Sequence, residues 1–92
     1  MIYLITYDLK KPGQDYESIY NIIKSANKWW HYLESTWLIK TNDSVDSWND
    51  KLKVAIDKND RLLIVNITKQ KRQGWLPTEA WDWIRENEID SH

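Results

Sequence analysis

Ninety-two residues suffice for one domain with a thin core, and the lack of cysteine excludes disulfides, thiolate metal sites and a cysteine nucleophile. Lysine and arginine number 13 against 14 acidic residues, a net charge of −1, which disfavours extensive duplex nucleic-acid binding because that takes a basic excess. Seven Trp and five Tyr, with no Phe, exceed what so small a core hides easily, so part of this aromatic surface belongs to a subunit interface or a ligand site.

Met1 to Tyr7 is a run rich in β-formers, stopped by Asp8-Leu9-Lys10-Lys11-Pro12-Gly13, and reads as a buried strand followed by a loop. Asp15 is placed to cap a helix whose apolar positions are Tyr16, Ile19, Tyr20, Ile23 and Ala26. Trp29 to Thr41 returns to strand character and is too long for one strand; Glu34-Ser35-Thr36 breaks it into a hairpin or a bent pair. Asn42-Asp43-Ser44 caps a second helix with Val45, Trp48, Leu52 and Ile56 on its apolar side. Leu62 to Ile67 is nearly all apolar and is expected to be a central, covered strand. Lys69 to Gly74 forms a basic connection, and Leu76-Pro77-Thr78-Glu79 starts a last helix pinned by Trp81 and Ile84. Residues 86–92 read as a frayed tail.

Strand, helix, strand pair, helix, strand is the split βαβ order, so the expected fold is an α+β ferredoxin-like sandwich with a C-terminal helix. One domain spans 1–92, with its core at 1–68, the basic connection at 69–75 and the final helix at 76–86.

Tyr7-Asp8-Leu9, Pro12-Gly13-Gln14-Asp15-Tyr16 and Trp30-His31-Tyr32-Leu33-Glu34-Ser35-Thr36-Trp37 resemble, in order and spacing, the CRISPR-associated protein two superfamily. The likeness is nearest to its SinR-like relatives outside CRISPR systems, and Leu62 to Val65 and Gly74-Trp75-Leu76-Pro77 extend it. The resemblance implies a homodimer whose sheets face each other. It also places Asp8 where nuclease members of the family pair an Asp across the twofold axis around a divalent metal.

Asp8, doubled in that way, would hold Mg²⁺ with water and phosphate oxygens completing the shell; the structural alternative is a loop-starting Asp that accepts backbone hydrogen bonds. Lys10-Lys11-Pro12-Gly13 offers two cations and a close backbone approach to a phosphate, or is simply a solvated turn. Trp30, His31 and Tyr32 with Glu34, Ser35 and Trp37 combine stacking surface with hydrogen-bonding groups, as base recognition requires. Strict alternation puts Trp29, His31, Leu33, Ser35 and Trp37 on one face, and Trp30, Tyr32 and Glu34 on the other. The competing reading of this cluster is core and interface packing. Lys69, Lys71 and Arg72 form a second basic patch or a solvated loop. Trp75, Trp81 and Trp83 are expected to dock the last helix, and Trp48 to sit in the core.

The favoured function is a dimeric binding protein that captures a small nucleotide-type ligand, such as a signalling nucleotide, without catalysis; a phage-encoded sponge is one concrete form. Its site is expected from Tyr7, Lys10, Lys11, Trp30, His31, Glu34 and Ser35. The alternatives are a Mg²⁺-dependent endonuclease using paired Asp8, which alone would need a cofactor, and a protein-interaction scaffold. Expected partners are a second copy of the chain and a small nucleotide or nucleic acid. No apolar run approaches 18 residues and no signal-peptide pattern precedes Asp8, so no membrane partner and a cytoplasmic location are expected.

Overall fold

The computed structural model describes residues 1–10 and 16–89. Along the chain run β1 (Ile2–Asp8), α1 (Tyr16–Ile23), β2 (Lys28–Leu33), β3 (Thr36–Lys40), α2 (Val45–Lys53), β4 (Arg61–Asn66) and α3 (Thr78–Ile89). The strands form one sheet in the order β2-β3-β1-β4, with every neighbouring pair antiparallel. The break within 29–41 is a tight hairpin, its turn made by Glu34-Ser35.

Alternation along β1 feeds two cores. Tyr3, Ile5 and Tyr7 pack with Ile19 and Ile23 of α1 and Trp48 and Leu52 of α2. Ile2 and Leu4 pack on the other face with Trp30 and Leu38, beneath Ala80 and Ile84 of α3. This explains why β1 is apolar at almost every position: it is central and faces helices on both sides. Ile19 and Ile23, four residues apart, both lie on the buried stripe of α1. The Asp15 cap expected for α1 lies outside the described residues. Ser44 caps α2, its hydroxyl accepting from the Ser47 amide at 3.0 Å, while Lys51 and Lys53 occupy the last turn, where the helix dipole favours cations. Trp48 is a core residue whose indole donates to buried Thr41 Oγ1 at 3.0 Å.

Three expectations are corrected. Among the described residues β4 pairs only with β1 and lies at the sheet edge, with Leu63 56% exposed and Val65 also in solvent. Its apolar run shows that both sides suit burial, but does not reveal which neighbours cover them. Trp75 does not dock α3; it is completely exposed, whereas Trp81 and Trp83 pack against the second core. α3 continues to Ile89 instead of fraying from Glu86, because the Asn87 side chain donates from Nδ2 to the Trp83 carbonyl at 2.7 Å and Glu88 is tied to Arg72. No helix among the described residues is long and apolar enough to cross a membrane.

Candidate functional site

Tyr7, His31, Glu34 and Ser35 meet at the end of the sheet where β1 finishes and the β2–β3 hairpin turns. The Tyr7 amide donates to the Ser35 carbonyl at 3.2 Å, fixing the turn against the strand. The Tyr7 side chain is 6% exposed, and its hydroxyl accepts from Trp37 Nε1 at 3.1 Å. Burial pushes the Tyr7 phenol up to about 12, although the bond from Trp37 works the other way. At neutral pH it is therefore a fixed hydroxyl and no base.

His31 lies flat on Trp37, with ring centroids 3.7 Å apart and planes 12° apart. Its Nε2 is 3.0 Å from the Glu34 carbonyl oxygen. A carbonyl only accepts, so Nε2 carries a hydrogen and donates. Tyr20 of α1 sits against both rings, 5.4 Å from Trp37 and 5.9 Å from His31, and Tyr16 follows 6.1 Å further on. Trp29 is tilted against Trp37 at 5.4 Å and carries the Lys24 ammonium over its ring at 5.3 Å. The outcome is a row of rings running from buried Trp37 to Tyr16, which is 43% exposed. Tyr16, Tyr20 and Trp29 do not stand out as site residues in the sequence, because their spacing reads as core. The available signal was the choice of Tyr over an aliphatic residue at two helix positions four apart: an apolar body with a polar tip suits a half-buried surface.

Asp8 and Lys10 lie just past Tyr7 and pair at 2.5 Å, both well exposed. Pairs of this kind contribute little and exchange readily for another partner. The Lys10 backbone is held by Asp60, a buried carboxylate whose two oxygens accept from the Lys10 amide at 2.9 Å and the Asp57 amide at 2.8 Å. Asp60 thus clamps the exit of β1 to the turn before β4. Among the described residues no three His, Asp or Glu side chains group as metal ligands. Lys11 lies outside the described residues.

Trp30 is not part of this site. It points to the opposite face, is 3% exposed, and its indole donates to the Ala80 carbonyl of α3 at 3.3 Å. A register shift between Trp30 and Leu33 also moves Leu33 away from the face of His31, setting it opposite Thr36. In the basic connection, Arg72 is structural: its guanidinium reaches Glu88 at 2.5 Å and the Ile67 carbonyl at 2.6 Å. Burial raises the Glu88 carboxyl, but the bonds from Arg72 and the Lys69 amide outweigh that and hold it below the usual range. Lys69 gives its amide to Glu88 at 3.1 Å from a left-handed backbone, φ 56°, a conformation costing a non-glycine residue about 1–2 kcal/mol.

No family model matches the chain, no curated protein matches it, and no solved structure matches it.

Proposed function

We propose that this chain is a binding protein that captures a small nucleotide-type ligand without catalysis, working as a homodimer of ferredoxin-like domains. The observation that carries this reading is the half-exposed row Tyr16, Tyr20 and His31 laid on Trp37, at the end of the sheet where Lys10 is clamped in place. Bases take flat apolar partners, and phosphates take cations and donors. Lys10 answers the second need by exchanging its exposed partner Asp8 for a phosphate oxygen. The chain order of β1 to β4 around α1 and α2, together with the strand order, supports the ferredoxin-like reading, and α3 is an addition to it. The uncovered apolar row on β4 supports self-association. A compact sponge for a signalling nucleotide is the concrete form of this proposal, consistent with its resemblance to the SinR-like proteins. Native mass spectrometry of protein purified from cells tests both parts together. Twice the chain mass plus a retained nucleotide supports the reading, and a bare single chain opposes it.

A second reading, a Mg²⁺-dependent nuclease, is favoured by the position of Asp8. Its carboxylate is exposed and, by strand alternation, shares the face of Thr6 and Leu63, where a facing copy would bring a second Asp8. Cleavage that requires Mg²⁺ and is lost in Asp8→Asn would establish this reading over the first.

A further inference from the structure

The sheet face opposite α1 and α2 is only half covered. α3 closes over Ile2, Trp30 and Leu38, while Leu33, Leu63 and Val65 remain in solvent. Between the covered and open halves lies a groove of about 190 Å³, its apolar floor made by side chains that include Leu4, Trp30, Leu33, Trp81 and Ile84, and its wall along the connection by Leu76 with the polar residues 70–73. The same connection carries Trp75, 101% exposed, beside Gly74, where even an added Cβ would meet no atom within 4 Å. A fully exposed indole and a largely apolar hollow that the described residues do not fill stand next to each other on one segment.

We infer that two copies associate about a twofold axis, with Trp75 of each seated in the groove of the other. This rests on the self-association proposed above and gives it a surface and an anchor. A twofold contact is self-complementary, so a knob and a hole on one patch satisfy each other twice. An aromatic side chain buries about 150–250 Å², a substantial part of the ~800 Å² that each partner gives a standard interface. The exposed Leu63 and Val65, outside the groove on the same face, extend the apolar contact. Trp is enriched among residues whose truncation weakens an interface most.

Sedimentation equilibrium of the full chain tests the inference with two variants at exposed positions. Trp75→Ala removes the knob and touches no packing; Leu33→Glu places a charge at the groove. Wild type is expected to dimerise at micromolar concentration, and each variant to do so about thirtyfold or more weakly. Mixing the two variants is the sharper test: the intact groove of Trp75→Ala accepts Trp75 from Leu33→Glu, so a heterodimer tighter than either homodimer is expected. A wild-type dimer unmoved by Trp75→Ala overturns the exchange alone and leaves self-association standing. A monomeric wild type overturns both, as does a monomer whose groove takes up an apolar dye, which would make it a small-molecule pocket. None of these outcomes touches nucleotide capture at the other face.

Discussion

The indole nitrogen of Trp37 donates to the hydroxyl of Tyr7 at 3.1 Å, joining β3 to β1 on the face that carries α1. Because both side chains are buried, the bond is part of the fold as well as the floor of the proposed site. Tyr7→Phe keeps the ring but leaves the indole N–H without its acceptor, which costs about 1–3 kcal/mol. Urea denaturation is expected to show a lower midpoint at unchanged slope, and heating a midpoint lower by about 4–8 °C per kcal/mol.

The same buried phenol makes the protein sensitive to alkali. Tyr7 is raised to about 12 in the fold, against about 10 in an unfolded chain. Its contribution is fully present below the unfolded value and is lost as pH rises from there through the folded one. Stability is therefore expected to fall between about pH 10 and 12. Tyr7→Phe, already less stable, should show a shallower fall over that window in denaturation followed at each pH.

At the acid end Glu88 acts in the opposite sense. Its carboxyl sits below the usual range, since Arg72 and the Lys69 amide outweigh the effect of burial. Its contribution is present above the unfolded carboxyl value, about 4.3, and is lost as pH falls through the folded one. Glu88→Gln is expected to lower stability at pH 7 and to flatten part of the acid limb of a thermal denaturation series. An acid limb identical to wild type would contradict the role of the Arg72–Glu88 contact.

Much of this fold was legible in the sequence because its elements follow local rules. The Asn42-Asp43-Ser44 cluster, of which Ser44 makes the cap, the polar break at Glu34-Ser35-Thr36, of which Thr36 opens β3, and the helical spacing of Ile19 and Ile23 all depend on neighbours a few residues away. What was not legible depends on distant partners. Nothing near Asp60 in the chain signals the Lys10 amide, fifty positions away, from which its oxygen accepts. Arg72 reads as a solvated cation until α3 delivers Glu88. Strand alternation alone already sets Trp30 and His31 on opposite faces; what it does not give is the Ala80 carbonyl of α3, fifty positions away, that takes the Trp30 indole. The four site residues that do converge, Tyr7, His31, Glu34 and Ser35, are those held by the hairpin turning beside the end of β1.

Calorimetry of wild type against linear and cyclic nucleotides, repeated with Tyr16→Ala, tests the proposed capture most directly. Tyr16 is the most exposed ring of the row and its removal leaves the core intact, so circular dichroism should show an unchanged fold. A stacked base is worth about 1–3 kcal/mol, so binding is expected to weaken roughly 5- to 150-fold. Lys10→Ala should weaken it less, with an effect that shrinks as salt rises. A nucleotide bound by wild type and lost in this graded way supports capture at the end of β1. No binding across the whole series, or an affinity that neither substitution changes, contradicts it.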